Sequence, residues 1–101
     1  MKKDKILTLH PKGKKGVNIS IAKYEKIKNF ILETLTLEQE ITFENLTELA
    51  IIRLADNFDG SVLWYITTVK LDLEARKIIE RVSKTSPHKL KIVKNEEQHI
   101  S

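Results

Sequence analysis

The stretch from Thr68 to Val82 changes its hydrophobic period partway, and that change constrains the fold more than any other feature of the chain. Up to about Arg76 its apolar residues recur at three- and four-residue steps, the spacing of one helix face. From Ile79 the pattern suits a strand, and Pro87 and a basic second strand follow. This end of the chain therefore reads as a helix running directly into a β-hairpin.

The preceding segments supply two more helices. The first is predicted over about Ile21–Leu35, with Tyr24, Ile27, Phe30, Ile31 and Leu35 as its apolar stripe. Ser20 is its predicted N-cap, because a hydroxyl there can accept from a free N–H of the first turn. Thr36 to Glu40 is a polar connector, and Ile41-Thr42-Phe43 is short and β-prone. Thr42 can also cap a second helix, reaching about Ala55 and burying Phe43, Leu46, Leu49, Ala50 and Leu54. After the turn Asn57-Phe58-Asp59-Gly60, Ser61 can cap a third helix over about Val62–Arg76. Its core stripe is Val62, Ile66, Val69 and Leu73, which lie within about 60° of one another at 100° per residue. Ser83 to His88 forms the hairpin tip, and Leu90 and Ile92 face one way on the return strand.

The ends are read separately. Residues 1–18 form a basic arm, in which Lys5 to Leu9 can make a short strand and His10 to Gly16 a loop. Residues 19–94 form the folded domain, and residues 95–101 a polar tail. The order helix, short strand, helix, helix, strand, strand predicts an α+β fold, a winged helix-turn-helix. It has three helices, a small antiparallel sheet and a C-terminal β-hairpin wing. A plain three-helix bundle is the alternative, and it explains the alternation after Ile79 poorly.

The chain contains no cysteine, which excludes disulfides, thiolate metal sites and a Cys nucleophile, and which fits a cytoplasmic protein. No apolar run reaches the length of a membrane span, and no apolar core follows the basic N-terminus as in a secretory signal. Net charge is +4, unevenly spread: +5 over residues 1–18, −4 over residues 19–60 and +3 over residues 61–101. Basic ends around an acidic centre can follow a phosphate backbone, or can simply be solvated edges.

In a helix-turn-helix the third helix offers the face opposite its core stripe to the major groove. Here that face holds Trp64, Thr67, Thr68, Leu71 and, at its border, Asp72. Arg, Lys, Asn and Gln make most base contacts, and none lies near its centre. Thr67, Thr68 and Lys70 are the expected helix contacts to DNA. Lys84, His88, Lys89, Lys91 and Lys94 cluster at or beyond the wing tip, with Arg81 before it, and can grip sugar-phosphate without reading sequence. The same lysines can equally guard an edge strand. Trp64 admits three readings: part of a DNA-contacting face, the centre of a protein-binding or dimer surface with Leu71, or core covered by the arm. Lys12-Gly13-Lys14-Lys15 can enter a minor groove or remain a solvated tail. Glu44 and Glu48, early in the second helix, count against DNA at that end.

Catalytic chemistry finds no foothold. His10, His88 and His99 lie in the arm, the wing and the tail, with no ligand spacing, so no metal is expected. Gly13-Lys14-Lys15-Gly16 lacks the Gly-Lys-Ser/Thr of a phosphate-binding loop. Glu38 and Glu40 sit on an exposed connector that gives no means of separating their pKa values. Neither an enzyme nor a cofactor is expected.

The block Trp64-Tyr65-Ile66-Thr67-Thr68-Val69-Lys70-Leu71-Asp72-Leu73-Glu74-Ala75, followed by a hairpin returning through Pro87-His88-Lys89-Leu90-Lys91, resembles a small family of uncharacterised bacterial winged-helix proteins. The resemblance covers most of residues 15–93. Many of those relatives carry Gly where this chain has Lys77. The resemblance implies the fold and, by fold analogy only, DNA. The expected function is a DNA-binding winged-helix protein, a transcriptional regulator that contacts duplex DNA through its third helix and wing. The alternative is a protein-interaction or dimerisation module using the Trp64 and Leu71 face. A lone winged helix gains specificity by pairing, so a homodimer is the expected assembly.

Overall fold

The structure is a computed structural model and describes residues 4–94; the predicted tail at 95–101 lies outside them. Strands β1 (Lys5–Leu7) and β2 (Asn18–Ser20) lead into helix α1 (Ile21–Glu38). Strand β3 (Ile41–Thr42), helix α2 (Phe43–Leu54), one 3-10 turn (Ala55–Asn57) and helix α3 (Val62–Ala75) follow. The chain then forms the antiparallel pair β4 (Ile79–Arg81) and β5 (Lys89–Ile92). Among the described residues the architecture is α+β, with three helices and two small antiparallel sheets.

Each helix starts at the predicted cap. Lys23 N donates to Ser20 Oγ (3.3 Å), Asn45 N to Thr42 Oγ1 (3.1 Å) and Trp64 N to Ser61 Oγ (3.1 Å). Each bond satisfies one of the orphan donors of a first turn and contributes roughly 1 kcal/mol. Helix α1 continues three residues past the predicted end, since nothing in Thr36-Leu37-Glu38 breaks it.

The core lies between the helices and the second sheet. Ile27, Ile31 and Leu35 of α1 meet Leu46 and Ala50 of α2 and Ile66, Val69 and Leu73 of α3, closed by Ile79 and Leu90. All four predicted stripe residues of α3 are buried. In α2 only Leu46 and Ala50 are fully buried, while Phe43, Leu49 and Leu54 pack at the margin. Phe58, read from sequence as a turn residue, is buried and meets Tyr65 edge-on with ring centroids 5.0 Å apart.

The second sheet has the order β3-β5-β4, so the strand before α2 pairs with the last strand. Ile41 faces Leu90, and Ile79 faces Ile92. Helix α3 closes in a two-bond motif: Ile78 N donates to Leu73 O (2.9 Å) and Lys77 N to Glu74 O (3.1 Å). Between them Lys77 takes a φ of 64°, the left-handed conformation that such a C-terminus requires and that glycine adopts without penalty.

The arm is not a separate tail. Its predicted strand forms β1, which pairs with β2 in the register Ile6 to Ile19, so a boundary at residue 18 cuts through a hairpin. Thr8 N donates to Val17 O (2.8 Å), and Val17 N donates back to Thr8 Oγ1 (3.1 Å). Thr8 and Ile19 are buried, which ties this N-terminal hairpin to the helices.

Candidate functional site

The N-terminal hairpin is held against α3 by one carboxylate. Asp72 has no exposed surface. Its Oδ1 accepts from Leu9 N (2.9 Å), and Tyr24 Oη of α1 donates to its Oδ2. Arg76 Nε, one turn on, reaches both oxygens at 3.0 and 2.8 Å. An uncompensated buried carboxylate would be prohibitive, and these four donor contacts explain why this one is tolerated. The hydrogen bonds to Asp72 also raise the Arg76 guanidinium above its ordinary value. Asp72 was expected at the border of the exposed face. It points inward because the hairpin and Tyr24 give it partners there, which no helical period reveals.

Burial, then the hydrogen bond to Asp72, pushes the Tyr24 phenol well above its ordinary range. The folded protein therefore keeps this proton to higher pH than the unfolded chain does. The resulting stability is complete below about pH 10 and is lost as pH rises beyond it. Denaturant melts across alkaline pH should show a falling limb from about pH 10 that Tyr24→Phe flattens. An unchanged limb would assign the loss to other groups.

Lys70 also departs from expectation. It is 8% exposed, and its Nζ pairs with Glu74 at 3.2 Å and lies 5.2 Å from the centre of the Phe43 ring. This cation seals the junction of α2 and α3, so its placement as a helix contact to DNA is corrected. Thr67 Oγ1 donates to Leu63 O (2.9 Å), while Thr68 turns toward the N-terminal hairpin. The solvent side of α3 is thus mainly Leu63 at 52% and Trp64 at 45% exposure, with Leu71 half-buried. Trp64 is neither core nor free, because its ring meets Tyr65 edge-on at 4.9 Å.

The wing cations differ in their surroundings. Lys84 and His88 are exposed near the tip, with Arg81 Nη1 3.3 Å from His88 Nε2. Lys91 pairs with Glu80 at 3.6 Å. Lys89 borders a hollow lined by Glu38, Glu40 and Glu48, on the acidic side of the molecule. Of the predicted DNA contacts, Lys70 is thus buried, Lys91 is paired and Lys89 borders carboxylates, while Lys84 and His88 are exposed.

Other cations do converge. A cleft of about 650 Å³ lies between the N-terminal hairpin, the end of α3 and β4, with Lys12, Lys14, Lys77 and Arg81 on its walls and His10 and Leu71 among its lining. Among the described residues, Lys12, Lys14 and Lys77 have no carboxylate within ion-pair distance. Glu74 and Glu80 also line the cleft, but Glu74 is shared by Lys70 and Arg81 (3.7 Å), and Glu80 is held by Lys91. His10 Nδ1 accepts from Lys12 N (3.1 Å), which leaves Nε2 as the ring donor. Local spacing could not bring residues 10–14 to residues 77–81; the docking of Leu9 on Asp72 does so. The one available signal was the density of lysine in the loop.

Among the described residues no three His, Asp or Glu side chains come together as a metal site, and no helix is long and apolar enough to cross a membrane. No curated protein and no solved structure gives a match. Over residues 5–90, from the first strand to the second strand of the C-terminal hairpin, the sequence matches a family of unknown function (DUF6958), and the chain belongs to that family.

Proposed function

We propose that this is a DNA-binding protein of winged-helix type that holds the duplex by its phosphates and reads little base sequence. The observation that carries the proposal is the cationic cleft, in which Lys12 and Lys14 from one hairpin and Lys77 and Arg81 from the end of α3 and the other hairpin face the same space. Clustered, unpaired lysines release counterions when they meet a phosphate backbone, a sequence-independent source of affinity. The strand order β3-β5-β4, formed after the order helix, strand, helix, helix, agrees with a winged helix. The solvent face of α3 offers Leu63, Trp64 and Thr67 and no bidentate donor, which argues against strong base readout. A role in transcription would need specificity from pairing or from a partner.

Anisotropy of a labelled duplex, titrated at about 50 and 200 mM salt, tests the reading. Lys12→Glu combined with Lys14→Glu should weaken binding and reduce the slope of log affinity against log salt by about two. Lys89→Glu combined with Lys91→Glu should change it less, since Lys89 borders the acidic hollow and Lys91 is paired. Equal affinity for the Lys12/Lys14 variant and the parent would remove the cleft from the interface.

The exposure of Leu63 and Trp64 favours a second reading, a dimer or partner surface on α3. Light scattering over a concentration series distinguishes it, because self-association raises the mass without DNA.

A further inference from the structure

The cationic cleft does not end at Leu71. Its lining shares His10 and Leu71 with a smaller groove of about 180 Å³ that lies between the N-terminal hairpin and α3 and reaches Trp64. Lys15 stands on the hairpin wall of this groove, and Val17, Leu9 and Leu71 make it apolar. Cations line one end of the channel that the two adjoining hollows make, and an indole stands at the other.

We infer that this channel takes nucleic acid with unpaired bases, with Trp64 as a stacking platform and the lysines following the backbone. The inference rests on the nucleic-acid reading of the cleft and narrows it. A duplex hides its base faces, so an exposed indole gains little from one unless it wedges between base steps. A single strand presents them, and an aromatic surface beside a positive groove is a sequence-tolerant way to hold it. Trp64 is suited to this role because one side of the ring is fixed. Tyr65 meets it at an interplanar angle of 81° and is itself held by Phe58, while 45% of Trp64 remains open to solvent. A platform that is already rigid loses little entropy on binding. The lack of base-reading side chains on α3, a weakness for duplex recognition, does not matter for stacking.

Trp64 is the only tryptophan in the chain, so its emission reports on this site alone. The intact protein would be titrated with an oligothymidylate and with a duplex of equal length, at about 50 mM salt. The expected result is quenching by the single strand, with tighter binding than the duplex. Trp64→Ala should lower single-strand affinity roughly tenfold and leave duplex affinity nearly unchanged, while Trp64→Phe should retain most of it. Circular dichroism would establish that both variants are folded. Single-strand binding that survives Trp64→Ala, with duplex binding intact, would overturn the stacking inference and leave the backbone grip standing. A folded protein that binds neither ligand would overturn both. An emission change that follows protein concentration alone, with a doubled mass, would assign Trp64 to self-association instead.

Discussion

Asp72→Ala is expected to lower the unfolding free energy by about 3–5 kcal/mol, measured by urea or thermal melting. The residue has no exposed surface and receives Leu9 N, Tyr24 Oη and Arg76 Nε. Removing it leaves a charged guanidinium and a buried phenol without their acceptor, and a backbone N–H that was bonded now lacks a partner. A small domain has roughly 5–15 kcal/mol in total, so this one change would bring the chain close to unfolding at physiological temperature. Asp72→Asn separates shape from charge. It fills the same space but keeps one carbonyl oxygen and places an amide donor among donors, so its cost should fall between those of the parent and the Ala variant. A loss for Asp72→Ala below about 1 kcal/mol would mean that the three partners find water or one another, and that Asp72 is not what docks the hairpin.

Gly16→Ala should have the next largest effect, about 3 kcal/mol, and should act locally. A Cβ at Gly16 would lie 1.7 Å from the carbonyl oxygen of Thr8, and both atoms are tied to backbone, so no side-chain rotation relieves the overlap. The hairpin must open between Thr8 and Val17, breaking the two hydrogen bonds that join them. Buried Thr8 would move, and the bond from Leu9 N to Asp72 would move with it. Hydrogen exchange should show lost protection at Thr8, Leu9 and Val17 while α1 keeps its own. The cleft would lose the wall that carries Lys12 and Lys14, so nucleic-acid affinity should fall together with hairpin protection. A variant that melts like the parent and retains protection there would show that the hairpin tolerates a different closure.

The two substitutions separate what each residue does. Asp72 connects three segments, the N-terminal hairpin, α1 and the end of α3, so its loss is expected to be global. Gly16 affects one close approach between the two arms of the hairpin beyond its strands, so its loss should be largely confined to the hairpin and the groove beside it.

What the sequence determined by itself was local. Ser20, Thr42 and Ser61 are caps because a short hydroxyl before an apolar run can satisfy a first-turn N–H, and that interaction spans three residues. The stripe Val62, Ile66, Val69 and Leu73 was legible because a helix repeats every 3.6 residues whatever it packs on. The change of period after Arg76 announced the hairpin for the same reason. Tertiary structure decided the rest, wherever a residue's surroundings come from distant chain. Asp72 and Lys70 flank the core stripe of α3, where helical period assigns neither burial nor exposure. Asp72 is buried because Leu9 and Tyr24 supply donors, and Lys70 because Glu74 and Phe43 hold its charge. For Lys12 to Lys15 the sequence left a groove-binding arm and a solvated tail both open, and pairing of β1 with β2 makes the arm one wall of the cleft. Lys89 and Lys91 looked like a single patch with Lys84 and His88 because they are near in sequence. The sheet placed Lys89 beside the carboxylates of α1 and α2 and paired Lys91 with Glu80. Periodicity reports which side of an element is apolar; only the packed chain decides which charges meet.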